Sequence, residues 1–334
     1  MPHPVQPYNT IAVAGAGAWG TALALVASAN SGKVLLWARE PEVVAGIVTS
    51  RQNHRFLPDI ALPGKIEATG DIRRAGEADA ILLAAPAQHV RAVGTALAGA
   101  VKTGTPVVLC AKGIETGTGK LLAEVLAEVL PGCSTAILSG PSFARDVAQG
   151  LPTAVTIAGE IGVAKRLQAS LNRTGFRPYA SDDVTGVALG GAAKNVYAIA
   201  CGMVEGAGFG ESARAALIAR SFAELMRLGV ALGARAETLM GLSGLGDLVL
   251  TATSTASRNY SLGLALGRGA NISDVVGTGH PLAEGAYTAP ALVARARKHG
   301  VELPVAEAAA DVLQERLAVR EAARVLLARP LKSE

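Results

Sequence analysis

Three ionisable residues stand in stretches of the chain that are otherwise apolar or rich in glycine. Lys112 lies in VVLCAKGIE, Lys194 in GGAAKNVYAIACGM and Asp247 in MGLSGLGDLVLTATSTASRN. Burial among small apolar residues lowers the pKa of a lysine towards the range that suits proton transfer. Each lysine could instead extend its ammonium group to the surface, and Asp247 could pair with a lysine or only shape a loop. The three residues are therefore candidates for acid–base chemistry.

A glycine pattern near the start of the chain indicates a dinucleotide site. In TIAVAGAGAWGTALALVA, Gly15, Gly17 and Gly20 have GxGxxG spacing, directly after a predicted strand and at the opening of a predicted helix. In this context the first glycine makes a tight turn, the second lets the backbone approach a pyrophosphate, and the third allows close helix packing. The helix N-terminus supplies free N–H groups to the diphosphate. The alternative is that the glycines serve only a tight strand-to-helix turn.

The end of the next predicted strand bears on the choice of cofactor. Arg39 stands where an enzyme specific for NAD usually carries an acidic residue for the ribose 2′-hydroxyl, and Glu40 follows it. A guanidinium group suits a 2′-phosphate. The sequence therefore favours NADP and leaves NAD open, unless Arg39 is only a solvated residue at a strand end.

Two further stretches could bind an anion. In STASRNYSLGLALG, Ser257 resembles an N-cap, with Arg258 and Asn259 at the start of a short apolar helix. Free N–H groups beside an arginine make a phosphate site, although Ser257 could be an ordinary cap. Gly140 and Ser142 lie in a turn after a predicted strand in LSGPSFARDV, either as a ligand loop or as plain turn residues. The five histidines have no metal-ligand or triad spacing, so no metal site is expected.

The elements that must position these residues change in kind along the chain. The first half alternates runs of Val, Ile and Leu with helix-like stretches, which is typical of a parallel sheet with crossover helices. Strands are predicted at residues 10–15, 33–39, 80–86, 106–112, 135–140, 153–159 and 176–181. Lys112 would end the fourth of them, at the edge of the sheet where ligands bind. Beyond residue 185, apolar residues recur at spacings of three and four, which predicts helices, among them 211–233, 280–300 and 305–327.

The predicted fold class is therefore α/β. An N-terminal Rossmann-like domain with a doubly wound, mostly parallel sheet is joined to a C-terminal all-α domain. We expect the NAD(P)-binding domain at residues 8–188 and the helical substrate and catalytic domain at residues 189–330.

Composition narrows the possible partners. Of the 334 residues half are hydrophobic, and the net charge of +4 is spread along the chain, so neither a nucleic acid nor another polyanion is expected. The three cysteines have no disulfide or zinc spacing, which favours a reducing cytoplasm. Residues 4–32 carry no Lys, Arg, Asp or Glu, but no basic residue precedes them and glycines interrupt them. Neither a secretion signal nor a membrane span is expected there, and the other apolar runs look too short or too often broken by charge to cross a bilayer.

Eight blocks, in order, carry a family resemblance: GAGAWGTALA, NHRFLP, KGIE, GPSFA, AAKNVYAIACG, GLGDLVLT, SRN and AEGAYTA. From about residue 10 to residue 325 the chain resembles the bacterial-type NAD(P)-dependent sn-glycerol-3-phosphate dehydrogenases. The resemblance implies reversible reduction of dihydroxyacetone phosphate to sn-glycerol 3-phosphate by NADPH or NADH, for phospholipid synthesis. It also implies a homodimer formed through the helical domain.

The resemblance also implies roles for individual residues. Lys194 would be the proton donor in reduction and the acceptor in oxidation, and Lys112 would contact both substrate and cofactor. The substrate site would further include Gly140, Ser142, Asp247, Ser257, Arg258 and Asn259. The cofactor site would include Gly15, Gly17, Ala18, Trp19, Gly20, Arg39, Ala144, Arg258, Leu282 and Glu284. Ala18 stands where many relatives have serine, and Leu282 where valine is common.

Two alternatives stay open on the sequence. One is a 3-hydroxyacid or 6-phosphogluconate dehydrogenase, which joins similar domains around a catalytic lysine and takes a carboxylate substrate. The SRN and KGIE blocks favour the phosphorylated ketose. The other is a nucleotide-binding regulator without turnover, against which the retention of Lys112, Lys194 and Asp247 argues. Asn195 is expected to hold a neighbouring polar group in place.

Overall fold

The structure is a computed structural model that describes residues 5–276 and 282–330. These residues form two compact units. The first comprises residues 5–111 and 121–187, and the second comprises residues 112–120 and 188–330. The segment Lys112–Lys120 thus belongs with the helical part of the chain, which the sequence did not predict.

The first unit contains an eight-stranded sheet and a separate hairpin. The strands are β1 Thr10–Ala14, β2 Lys33–Trp37, β3 Gln52–Asn53, β4 Leu57–Ala61, β5 Ile66–Thr69, β6 Ala80–Leu83, β7 Pro106–Leu109, β8 Ser134–Ser139, β9 Thr153–Ala158 and β10 Phe176–Ser181. The sheet order is β10-β9-β8-β7-β6-β1-β2-β5, and β3 pairs with β4 in the hairpin. Only the β8–β9 pairing within the sheet is antiparallel. The prediction of a doubly wound, mostly parallel sheet is confirmed.

Three details of the predicted sheet are wrong. The strand β5 and the β3–β4 hairpin were missed because they are short and carry few consecutive apolar residues. The strand predicted to end at Lys112 ends at Leu109, so Lys112 lies three residues beyond β7 and is not its last residue. The apolar run was correctly identified, but Cys110 and Ala111 leave the strand conformation.

The helices of the first unit cover the sheet. They are α1 Ala18–Ala27, α2 Pro41–Ser50, α3 Val90–Leu97, α4 Leu122–Val129, α5 Ala144–Ala148 and α6 Ile161–Leu171. All residues of α1 from Gly20 onwards are buried, as expected for a helix that is apolar on every side. Pro41 occupies the first turn of α2, where it costs no hydrogen bond. The Glu160 side chain caps α6 by accepting from the N–H groups of Gly162 and Val163.

The second unit is built from helices. They are α7 Val184–Gly206, α8 Glu211–Ala231, α9 Ala236–Met240, α10 Asp247–Ala252, α11 Arg258–Gly267, α12 Glu284–Lys298, α13 Pro304–Leu313 and α14 Val319–Leu327. The helix predicted over 280–300 corresponds to α12, although His280 and Pro281 lie outside the described residues. The region predicted as one helix over 305–327 is two helices. Glu315, with φ of 57°, leaves the helical conformation just after α13, and because it is not a glycine, no residue type indicated that the helix would end there.

The helix α7 forms the centre of the second unit. By length and composition it could cross a membrane, with a mean hydropathy of 1.4 over 18 residues. The expectation that the other apolar runs are too short or too often broken by charge to cross a bilayer is therefore wrong for this helix. However, 89% of that window is buried inside the protein. Two glycines of α7 and α11 let these helices meet at their backbones, since a Cβ on Gly202 would lie 2.1 Å from Tyr260 O, and one on Gly263 would lie 2.0 Å from Ile199 O. The helix α7 is therefore a tightly packed core element.

Candidate active site

The three ionisable residues from apolar stretches lie together in the second unit. Lys194 Nζ donates to Asp247 Oδ1 at 2.6 Å, and Lys112 Nζ donates to Asp247 Oδ2 at 2.7 Å. The Asp247 side chain is fully buried, and the side chains of Lys194 and Lys112 are 9% and 14% exposed. One carboxylate thus holds two ammonium groups, one on each oxygen. We call these residues the Lys112–Asp247–Lys194 cluster.

The electrostatic environment makes Lys194 a weaker base than an ordinary lysine. Its pKa is lowered from 10.5 to about 8, chiefly because burial disfavours the ammonium form. The positive charge of Lys112 lowers it further, while the Asp247 carboxylate acts in the opposite direction. A group with this pKa can both give and take a proton near neutral pH.

Backbone packing positions the two halves of the cluster. The residues Leu242–Gly246 form a turn of π-helix directly before Asp247, an irregularity that is frequent at functional sites. The helix α7 lies against this turn, since a Cβ on Gly190 would lie 2.6 Å from Ser243 O. Gly190 precedes Lys194 by one helical turn, so its missing side chain lets the lysine reach Asp247.

A chain of buried amides adjoins the cluster. Asn195 Nδ2 donates to the Lys112 carbonyl oxygen at 3.0 Å, and Asn195 Oδ1 accepts from Asn259 Nδ2 at 2.9 Å. Asn259 Oδ1 in turn accepts from the Gly285 N–H at 2.9 Å. Asn195 therefore holds the Lys112 backbone and the Asn259 amide. Asn259 itself has only one amide proton left for a ligand.

The proposed phosphate-binding residues stand at the start of α11. Ser257 is the N-cap, because its Oγ accepts from the Tyr260 N–H at 3.2 Å, so its resemblance to a cap is confirmed. Arg258 follows as the first residue of the helix and is exposed. A helix N-terminus next to an exposed guanidinium offers both N–H groups and a full charge to a phosphate.

The glycine loop, residues 15–20, has the features a dinucleotide site needs. Gly15 has φ of 125°, and a Cβ on Gly20 would lie 1.8 Å from Gly15 O, so both positions require glycine. A Cβ on Gly17 would meet no atom within 4 Å, which leaves the backbone open to a ligand. Gly17 also begins α1 without a side-chain cap. The buried Trp19 Nε1 has no hydrogen-bond partner in the described part of the chain. These residues fit a diphosphate at the helix start.

Arg39, the residue expected to favour NADP over NAD, forms an ion pair with Glu40. Arg39 donates to Glu40 Oε1 at 3.0 Å, and its side chain is 75% exposed. An exposed ion pair of this kind is weak, so the guanidinium can leave it for a phosphate. Glu40 can equally accept from a ribose hydroxyl, and the geometry fits both NADP and NAD.

The remaining predicted site residues lie after β8 and near the starts of α5 and α12. Ser142 Oγ donates to Gly140 O at 2.9 Å, which is ordinary turn chemistry. Gly140 has φ of 148°. Ala144 is the first residue of α5 in the first unit, and Leu282 and Glu284 lie at the start of α12 in the second. Within the described ranges no group of three His, Cys, Asp or Glu side chains could hold a metal ion.

Comparison with known proteins identifies the family. The models of the NAD-dependent glycerol-3-phosphate dehydrogenase N-terminus and C-terminus match residues 10–162 and 183–324. A glycerol-3-phosphate dehydrogenase (NAD(P)+) of Parvibaculum lavamentivorans is 57% identical over 98% of each chain. The protein of that name from Novosphingobium aromaticivorans is 53% identical over 97% of this chain and 98% of its own. This chain belongs to the NAD-dependent glycerol-3-phosphate dehydrogenase family.

A solved structure agrees with this membership. The glycerol-3-phosphate dehydrogenase from Coxiella burnetii matches with a TM-score of 0.91 and 39% identity, over 96% of this chain and 99% of that one. The resemblance drawn from eight sequence blocks is therefore confirmed. Both alternatives, a carboxylate-specific dehydrogenase and a regulator without turnover, lose their support.

The sequence analysis did not identify Thr251 as a residue of the site. Thr251 Oγ1 donates to the Asp247 backbone oxygen at 2.6 Å and accepts from Lys194 Nζ at 2.8 Å. Thr251 follows Asp247 by four residues on α10, so the two side chains lie on one helix face. That spacing in the GLGDLVLT block was the available signal. Thr251 belongs to the site because Lys194 donates to it, and the spacing within the block does not predict that contact.

Proposed function

We propose that this chain reversibly reduces dihydroxyacetone phosphate to sn-glycerol 3-phosphate with NADPH or NADH and thereby supplies the backbone for glycerophospholipid synthesis. It is an NAD(P)-dependent oxidoreductase that acts on a CH–OH group. The observation that carries the residue assignments is the buried Lys112–Asp247–Lys194 cluster.

Lys194 is the proton donor in reduction and the acceptor in oxidation. Two of its three Nζ protons go to Asp247 and Thr251, and no third partner lies among residues 5–276 and 282–330. The third proton can therefore bond the carbonyl oxygen of the substrate and pass to it as the alcohol forms. The nicotinamide cofactor supplies the hydride to the carbonyl carbon. A lysine pKa of about 8 lets the same group recover its proton after reduction.

The charge balance of the cluster supports an anionic substrate. Two ammonium groups and one carboxylate leave a net charge of +1 in a buried site. Asp247 offsets part of the mutual repulsion of Lys194 and Lys112 and fixes both in place. We assign Lys112 as a contact to substrate and cofactor.

The phosphate group of the substrate is assigned to the start of α11. Ser257, Arg258 and Asn259 stand there, with Ser257 as the cap and Asn259 tied to Asn195. A guanidinium beside free backbone N–H groups matches a phosphate dianion in charge and geometry. Gly140 and Ser142 are further proposed substrate contacts, on the strength of the family resemblance.

The cofactor is assigned to the glycine loop, and the family resemblance adds further residues. The proposed contacts are Gly15, Gly17, Ala18, Trp19, Gly20, Arg39, Lys112, Ala144, Arg258, Leu282 and Glu284. Arg39 slightly favours NADPH because a guanidinium suits the 2′-phosphate.

The domain limits and the cellular context remain proposals as well. We propose the NAD(P)-binding domain at residues 8–188 and the helical domain at residues 189–330. We also propose a homodimer formed through the helical domain, as the resemblance implies, and a cytoplasmic location. Cys110, Cys133 and Cys201 form no disulfide bond within the described residues, which is compatible with a reducing compartment.

The test is a spectrophotometric assay with dihydroxyacetone phosphate and each cofactor in parallel. Lys194→Met keeps the length of the side chain but has no proton to give, so turnover should fall by about 10²–10⁴-fold. The dissociation constants of NADH and NADPH should stay unchanged. The matched control is Lys298→Met, an exposed lysine at the end of α12, which should keep full activity. Normal turnover in Lys194→Met would remove this lysine from the mechanism.

A further inference from the structure

The NHRFLP block has no role in the proposed reaction, yet it contains a deeply buried polar residue. Asn53 is 1% exposed and lies in β3, opposite Leu57 of β4. Its Nδ2 donates to Ala16 O and to Thr21 Oγ1, each at 2.8 Å, and its Oδ1 accepts from the Phe56 N–H at 3.2 Å. One amide thus joins the hairpin to the glycine loop and to α1, all within the first unit.

The direction of this amide is fixed from both ends. The Ala16 carbonyl can only accept a hydrogen bond, and the Phe56 N–H can only donate one. The amide nitrogen must therefore face the glycine loop and the amide oxygen must face the hairpin. Only a side chain with a donor and an acceptor in this arrangement satisfies both neighbours, and no hydrophobic or acidic residue of similar size does.

Anchoring the Ala16 carbonyl also sets the direction of the next N–H group. The peptide unit between Ala16 and Gly17 is planar and trans, so its C=O and N–H point in opposite directions. With the carbonyl turned towards Asn53, the Gly17 N–H points away from the hairpin. Gly17 is the residue whose Cα has open space beside it. An N–H group in a glycine loop before a helix is a donor for a diphosphate.

We propose that Asn53 is a positioning residue for cofactor binding, which holds the glycine loop with its N–H groups directed at the diphosphate. This rests on the proposed function, since it takes the glycine loop as the cofactor site. Thr21 completes the anchor. It is fully buried on α1, it accepts from Asn53, and its hydroxyl lies 3.4 Å from Ala16 O. The NHRFLP hairpin thereby acts on the cofactor through the loop that it holds.

The central variant is Asn53→Leu, which keeps the approximate shape but has neither donor nor acceptor. The Ala16 carbonyl then loses a buried partner and the peptide can turn, so the dissociation constants of NADH and NADPH should rise about tenfold. ADP-ribose should be affected equally, because it carries the diphosphate without the nicotinamide. The KM for the cofactor should rise, whereas kcat at saturating cofactor should stay close to wild type, because the Lys194 cluster belongs to the second unit.

Binding can be followed by intrinsic fluorescence of the cofactor-free protein. The chain has two tryptophans, Trp19 in the glycine loop and Trp37 at the end of β2. The matched control is Arg51→Met. Arg51 secures the same hairpin through the carbonyls of Leu62, Pro63 and Ile66 but has no bond to the glycine loop. This control should leave the dissociation constants unchanged.

Each outcome decides between defined alternatives. If the wild-type protein does not bind NADH or NADPH, the proposed function fails. If it binds them and Asn53→Leu binds them equally well, the positioning role of Asn53 is refuted even when the melting temperature falls. An equal rise in Arg51→Met would also refute it, because any loosening of the hairpin would then suffice.

Two more variants complete the test. One serves if Asn53→Leu does not fold, and the other separates charge repulsion from the loss of the hydrogen bonds. If Asn53→Leu does not fold, Thr21→Val decides: a rise of about threefold supports the anchor, and an unchanged constant refutes it. Asn53→Asp should weaken binding at least as much as Asn53→Leu, because a carboxylate oxygen would face the Ala16 carbonyl. Weak binding in Asn53→Asp alone, with normal binding in Asn53→Leu, would indicate charge repulsion and overturn the proposal.

Discussion

Replacing Asp247 with asparagine tests the electrostatic logic of the site. Asp247→Asn keeps the shape of the side chain but removes the negative charge that both lysines share. The carboxylate raises the pKa of Lys194, while burial and the charge of Lys112 lower it to about 8 overall. Without the carboxylate only the two lowering effects remain. The pKa of Lys194 should therefore fall in the variant.

The size of the fall follows from the contact. An opposite charge within hydrogen-bond distance shifts a pKa by about 1–3 units, and a shift of about 1.5 would bring Lys194 close to 6.5. Reduction requires the ammonium form. At about pH 7.5 the wild-type enzyme would then keep roughly three-quarters of its acid-plateau rate, and the variant roughly a tenth.

The measurement is kcat/KM for dihydroxyacetone phosphate from about pH 5 to 10 with saturating NADH. Each protein is scaled to its own acid plateau, so a uniform loss from altered geometry does not affect the comparison. Ionisation of the substrate itself is the same for both proteins. The matched control is Asp311→Asn, which removes a surface carboxylate of the same unit that pairs with Arg316. Its profile should coincide with that of the wild type.

Two results would refute the reasoning. A midpoint of the variant profile at or above the wild-type value would show that the carboxylate does not stabilise the ammonium form. A wild-type profile without any inflection near pH 8 would show that the protonation state of Lys194 does not limit reduction. A uniform loss without a shift would leave Asp247 with a geometric role only.

Three other predictions concern the cofactor and the fold. Gly20→Ala should lower the melting temperature, because its Cβ would overlap Gly15 O, whereas Gly17→Ala should keep the melting temperature and raise the dissociation constant of NADH; the reverse pattern would contradict these roles. Arg39→Ala should raise the KM for NADPH more than that for NADH, and an equal change would mean that Arg39 does not bind the 2′-phosphate. Glu224 has its pKa raised to about 7, chiefly by burial. The folded state therefore binds this proton more tightly than the unfolded state does. The stability that Glu224 contributes is fully present below about pH 4.5 and is lost as pH rises through 7, and the loss should be about 1–3 kcal/mol. Urea unfolding of Glu224→Gln should lack this slope, and an unchanged slope would exclude Glu224 as its source.

Features that depend on one short stretch of chain could be predicted from the sequence. The glycine loop was one, because the turn, the helix start and the open backbone at Gly17 all lie within residues 15–20. The cap at Ser257 was another, since capping joins residues three apart. In both cases the spacing alone determines the geometry.

Features that depend on distant partners could only be proposed as candidates. Asp247 lies 53 residues from Lys194 and 135 from Lys112, and no spacing says that one carboxylate serves both lysines. Asn195 was noticed for its position, but its partners 83 and 64 residues away required the fold. Lys112 was expected at a strand end because the apolar run continues to Ala111, whereas the chain leaves the sheet after Leu109. These contacts arise from tertiary packing, which periodicity does not encode.

The second lysine adds to the effect of burial on the pKa of Lys194. A single buried lysine paired with one carboxylate would form a neutral pair, in which the carboxylate holds the proton on the lysine. Burial is the main cause that lowers the pKa of Lys194 from 10.5 to about 8, and the ammonium group of Lys112 on the other carboxylate oxygen adds a like charge that lowers it further. The same arrangement leaves a net positive charge for an anionic substrate. In the proposed mechanism Lys112 thus both makes Lys194 easier to deprotonate and adds a positive charge that would attract the substrate. Removing Lys112 should therefore weaken both properties together.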